Sequence, residues 1–91
     1  MTQIVYAVAM AFQVEVSELL SRERHAEVSF ARQVAMYLCW LDTLNTLWAI
    51  GQSLGGRSPA TISYGIQRVA TRIFNEPHLK DKLANIRRGY G

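Results

Sequence analysis

Five consecutive residues, Gly55-Gly56-Arg57-Ser58-Pro59, constrain the fold of this chain more than any other stretch. The two glycines stop a helix because they tolerate left-handed backbone. A capping hydroxyl followed by proline at the first helical position starts the next one. Upstream, Thr46 offers a cap for a short helix over 47–54. Downstream, Ile62, Ile66, Val69 and Ile73 recur at intervals of four, three and four as far as about Asn75. Residues 46–75 therefore read as a helix-turn-helix, a unit whose second helix can enter the major groove of DNA by its N-terminal end. The face opposite the isoleucines carries Ala60, Thr61, Tyr64, Gln67, Arg68 and Arg72.

The remainder is helical by the same criteria. Ile4, Ala7, Val8 and Ala11 place a mostly buried helix over 3–12, and Ser17 offers a cap for one turn over 18–21. A polar loop, 22–27, precedes a long helix over 28–43 with the stripe Val28, Ala31, Val34, Ala35, Leu38 and Leu41. Glu76-Pro77 opens a C-terminal helix over about 77–88, with Leu79, Leu83 and Ile86 inward. No segment alternates with the period of a strand. The expected fold is all-α, a compact helical domain spanning 1–91, because 91 residues hold one core and not two. The 49% hydrophobic and 19% charged composition is that of a chain that folds.

Several function classes fall away. The apolar run from Ile4 to Phe12 is far shorter than the roughly 20 residues of a membrane span, and it lacks the positive flank of a signal peptide. The expected protein is soluble, cytoplasmic and nucleoid-associated, with no membrane partner. One cysteine, Cys39, excludes an internal disulfide framework and reads as a small packing residue. His25 and His78 find no ligand set, since Asp81 alone lies at helical spacing from His78. Gly51 to Ser58 nearly spells a phosphate loop, but arginine stands at the lysine position and no strand leads in. No acid–base pair converges, so neither an enzyme nor a cofactor nor a metal is expected. The formal charge of +3 permits an acidic partner without requiring one, and eight of the ten basic residues are arginines, suited to forked phosphate contacts.

Two linked motifs then become specific. Ala31-Arg32-Gln33-Val34-Ala35-Met36-Tyr37-Leu38 is followed by Thr46-Leu47-x-x-Ile50-Gly51-x-x-Leu54-Gly55-Gly56-Arg57-x-x-x-Thr61-Ile62. Together they resemble the C-terminal DNA-binding domain of the bacterial replication initiator DnaA, which reads A-R-Q-x-A-M-Y-L and then S-L-x-x-I-G-x-x-F-G-G-R-D-H-[ST]-T-V. The likeness runs over roughly residues 3–75 without a gap. It implies that Arg32, Gln33, Arg57 and Thr61 hold the phosphate backbone and that Arg24, with Arg22 beside it, enters the minor groove; Arg68, on the outward face of the second helix, is expected to add a backbone contact. Glu23, Ala26 and Glu27 dilute the charge of that loop.

The chain departs from the family where bases are read. Ser58-Pro59-Ala60 replaces the family's Asp-His-[Ser/Thr], removing side-chain hydrogen bonds. Base reading is then expected from Ser58, Ala60, Ser63, Tyr64 and Gln67, with an altered preference. Aromatics open a second reading. At about 100° per residue, Gln33, Met36 and Trp40 lie opposite the core stripe of the long helix, with Phe30 and Tyr37 beside them and Trp48 nearby. These residues read either as internal packing or as a contact surface for a second copy, for the replication initiator or for another replication protein. The first reading is a free-standing double-stranded DNA-binding protein acting in replication initiation or its control. It starts at methionine and lacks an ATPase domain; as an excised piece it would be the DNA-reading end of a larger initiator. The second is a protein-interaction regulator that kept the fold and lost specific DNA binding.

Overall fold

Local signals place nearly every helix boundary in the computed structural model, which describes all 91 residues. The order is α1 (Thr2–Phe12), α2 (Val16–Leu20), α3 (Ala26–Asp42), α4 (Leu47–Ser53), α5 (Pro59–Asn75) and α6 (Pro77–Arg88), with no strand. Thr46 Oγ1 accepts the Ala49 N–H at 3.1 Å and Ser58 Oγ accepts the Thr61 N–H at 3.2 Å, so both expected caps form. The Gly51 carbonyl gathers the N–H groups of Leu54, Gly56 and Arg57, closing the turn between α4 and α5. Gly55 and Gly56 both take positive φ, 84° and 78°.

One cap differs from the expectation. Residue 15, not Ser17, opens α2: the Glu15 N–H donates to Glu18 Oε1 at 2.9 Å, and Ser17 lies exposed within the helix. The glutamate supplies the reciprocal bond that a serine two residues too late cannot make.

Helix α3 is the axis of the molecule, packing on α1, α2, α4 and α5. Leu38, Ile50, Leu54, Ile62 and Val69 are fully buried between α3 and the α4–α5 pair, and burying side chains of this kind contributes about 1.5–3 kcal/mol each. Contact on both sides of α3 corrects one sequence expectation. Met36 is buried, not displayed, because its sulfur packs where α5 crosses at Gly65. A Cβ at Gly65 would sit 2.3 Å from Met36 Sδ, so glycine is what lets the two helices close. Phe30 and Tyr37 are half-buried and pack against the core, Phe30 with its ring edge-on to Phe12 at 5.8 Å. Leu41, expected inward, is largely exposed.

Helix α6 closes the far side. Arg87 Nε and Nη2 donate to Asp42 at 2.9 and 2.7 Å, and the Tyr90 hydroxyl donates to the same carboxylate at 2.5 Å. These bonds tie the last turn of α6 to the end of α3. They leave the α4–α5 corner uncovered at the opposite end of α5.

Candidate nucleic-acid interface

The corner is assembled from three pieces: the α2 end with residues 21–25, the glycine turn, and the first turns of α5. A five-residue helix such as α2 satisfies few of its own carbonyls, so its end needs outside donors. Arginines supply them. Arg32, on α3, is 6% exposed and donates from Nε to the Leu19 carbonyl at 2.7 Å and from Nη2 to the Glu18 carbonyl at 2.9 Å. Arg57, 8% exposed, donates from Nη1 to the Leu54 carbonyl and from Nη2 to the Ser21 carbonyl. Arg22 Nη2 reaches back to the Gly55 carbonyl at 3.3 Å.

Arg32 and Arg57, which the resemblance assigned to the phosphate backbone, thus hold main-chain carbonyls in this structure. Neither offers a free fork to solvent; both guanidiniums bind main-chain carbonyls inside the domain. Sequence reading missed this because residue type gives no burial. The readable signal was the short α2, whose carbonyls had to find partners.

No carboxylate pairs with these cations. Glu23 Oε1 instead accepts the N–H groups of Arg24 and His25 at the start of α3. The two ion pairs, Arg72–Glu76 and Arg87–Asp42, lie at the far end of α5 and on α6. No close ion pair neutralises the corner, where the Glu23 carboxylate acts on Arg32 only through space. Burial first, then repulsion from Arg32 and Arg22, pushes the Arg57 pKa down to about 10. Burial and the neighbouring Arg22 likewise lower that of Arg32, against an opposing pull from Glu23.

The remaining candidates sit around this cationic centre. Arg24 is exposed on the 21–25 segment, and its side chain makes no hydrogen bond or ion pair. Ser58, Ala60 and Thr61 are exposed on the first turn of α5, but the Ser58 and Thr61 hydroxyls hydrogen-bond each other at 3.0 Å. Pro59 has no donor, leaving the first turn with a ring, a methyl and two engaged hydroxyls. One turn on, Tyr64 is exposed and Ser63 half-buried, and Gln67 is exposed on the turn after that. Arg68 projects beside Tyr64, its guanidinium carbon 6.0 Å from the ring centroid, and a shallow concavity runs between Tyr64, Gln67, Arg68, Thr71 and Arg72. Gln33 is half-buried at the α3–α5 crossing, against Gly65.

The aromatic candidates divide. Met36 is internal, and Phe30 and Tyr37 are mostly packed; Arg72 lies over the Phe30 ring at 4.0 Å. Trp40 and Trp48 remain, 48% and 62% exposed, with Leu41 and the fully exposed Leu44 along the junction of α3 and α4. They lie on α3 and α4, outside the first turns of α5.

Known proteins give the chain its relatives. A family model described as the bacterial dnaA protein helix-turn-helix matches residues 1–69. The chromosomal replication initiator protein DnaA of Chloroflexus aggregans is 38% identical over 84 residues, 92% of this chain and 18% of that protein. The same-named proteins of Oenococcus oeni and Magnetococcus marinus are 34% and 36% identical over 79 and 85 residues. The chain thus spans 18–19% of the length of these curated relatives.

Proposed function

The chain belongs to the bacterial DnaA helix-turn-helix family, and on that premise we propose that it is a double-stranded DNA-binding domain acting in replication initiation or its control. The observation that carries the reading is the corner itself: four arginines at positions 22, 24, 32 and 57 gather beside the N-terminus of α5, with Arg68 exposed further along that helix, and none is in ion-pair contact with a carboxylate. Duplex phosphates are the natural counter-charge for such a surface.

In this reading α5 lies in the major groove by its first three turns. Tyr64, Gln67 and Ser63 are the polar groups that face base edges, while Ala60 offers a methyl and Ser58 an engaged hydroxyl. Arg68, Thr61 and Gln33 contact the backbone, and Arg24, with Arg22 behind it, meets the minor groove. Such a protein associates with the nucleoid and acts by binding, without catalysis. Residues 1–91 work as one unit, because α6 and α1 close the core that positions α5.

The test is a fluorescence titration with a duplex carrying a DnaA box and with a scrambled duplex, at two salt concentrations. Preference for the box supports sequence reading by the altered first turn. Equal, salt-sensitive affinity for both supports a generic clamp. Absence of binding to either removes the DNA reading.

A second reading rests on Trp40 and Trp48. Exposed tryptophans flanked by Leu41 and Leu44 form the apolar surface on which a replication protein, the initiator among them, or a second copy would dock. Trp40→Glu should then abolish self-association in sedimentation, or capture of a DnaA-family initiator, while the thermal midpoint holds. Unchanged binding in that variant removes the surface.

A further inference from the structure

Three side-chain bridges cross between residues 18–22 and the glycine turn or its neighbouring helix. Arg57 spans the Leu54 and Ser21 carbonyls, Arg22 reaches the Gly55 carbonyl, and Arg32 holds the Glu18 and Leu19 carbonyls from α3. The backbone is pressed together at the same place. A Cβ at Gly55 would lie 2.2 Å from the Leu20 carbonyl oxygen and 2.8 Å from Arg57 Nη1. The segment carrying Arg24 and the turn that launches α5 are thus one packed body, although 30 residues of sequence separate them.

We propose that Arg57 is a positioning residue that couples the minor-groove segment to the recognition helix, so that a duplex meets both as one preset unit. The inference rests on the DNA-binding reading above. Two of the three guanidinium nitrogens of Arg57 are committed to carbonyls on the two sides of the junction. With 8% of the residue exposed, little of it is left for a phosphate. A planar fork is what the position requires: it bridges two acceptors at a fixed angle, which a single ammonium does not reproduce. Pre-ordering the 21–25 segment removes an entropic cost that binding would otherwise carry. The contribution of Arg24 to affinity therefore depends on Arg57.

The experiment is a double-mutant cycle in the full chain. Duplex affinity is measured for wild type, Arg24→Ala, Arg57→Gln and the double variant, and amide hydrogen exchange is followed over residues 22–26. Arg24→Ala should weaken binding about tenfold more in wild type than in the Arg57→Gln background, a coupling of about 1.4 kcal/mol. Exchange at 22–26 should rise in Arg57→Gln while α6 keeps its protection. If Arg57→Gln does not fold, Arg57→Lys, which reaches one carbonyl, takes its place. Additive losses with unchanged exchange make Arg57 a plain phosphate contact and overturn the coupling. A uniform rise in exchange over all helices makes it a general stabiliser and also overturns it. A wild-type chain that binds no duplex ends the DNA reading and the coupling with it, and is told apart because it fails before any substitution is made.

Discussion

Two arginines of the same surface should respond to substitution in opposite ways. Arg68 projects from α5, touches only the Tyr64 ring at 6.0 Å, and has no carboxylate partner. Replacing it with alanine removes no internal bond, so the stability change should stay within about 0.5 kcal/mol. One lost phosphate contact should lower the slope of log K against log salt by about 0.9. Arg32→Met is the contrast. It leaves the Leu19 carbonyl without its 2.7 Å donor, and a buried acceptor so orphaned costs about 1–3 kcal/mol, whereas the Glu18 carbonyl keeps the Ser21 N–H and hydroxyl. That loss is partly offset, because methionine fills much of the volume and no longer buries a charge. A net loss of roughly 1–2 kcal/mol follows, which in a domain this size lowers the thermal midpoint by about 5–15 °C. Thermal and urea unfolding by circular dichroism give the stabilities. Fluorescence anisotropy at three salt concentrations, at a temperature where each variant is folded, gives the slopes. The assignment is refuted if Arg32→Met keeps the wild-type midpoint and loses salt slope, or if Arg68→Ala destabilises the fold and leaves the slope intact.

Other substitutions follow from the same geometry. Gly56→Ala meets open space and should cost only the left-handed backbone penalty, about 1–2 kcal/mol, whereas Gly55→Ala adds a clash with the Leu20 carbonyl and should cost more. Equal losses in urea titration would contradict the packed junction. Burial raises the Asp42 pKa, but bonds from Tyr90 and Arg87 outweigh it and hold the carboxyl below its ordinary 3.8. The stability this lends is present above that value and is lost as pH falls through the depressed folded value. Asp42→Asn should flatten the acid limb of a pH–stability curve, and an unchanged limb would mean the bonds contribute nothing. Burial pushes the Cys39 thiol up to about 11, so a thiol reagent at neutral pH should label it only at the rate of unfolding.

The sequence carried the helices well because their ends are written in single residues. Thr46, Ser58, Pro59, Pro77 and the glycine pair act through local chemistry that tertiary context did not override. At Glu15 and Ser17 two caps competed two residues apart, and only geometry decides between them. The face of α3 was misjudged for another reason. Angular position on a helix separates two faces, but a helix packed by neighbours on several sides has little outside, so Met36 went inward with Val34 and Leu38. Leu41, on the inward stripe, sits near the α3 end, where exposure wins.

Arg32 and Arg57 show where reading by residue type stops. Motif position assigned them to phosphate, and arginine chemistry fits phosphate and carbonyl equally well. Which partner it takes is decided by α2, too short to satisfy its own end. The choice of carbonyls over carboxylates matters for the site. A carboxylate would have neutralised each guanidinium and left the corner without a field. A carbonyl satisfies the N–H geometry and leaves the full positive charge in place, raised in energy by burial and by the neighbouring arginines. The same side chains thus fasten the scaffold and keep it electropositive, and the free forks of Arg24 and Arg68 act within a field set by arginines that no phosphate needs to touch.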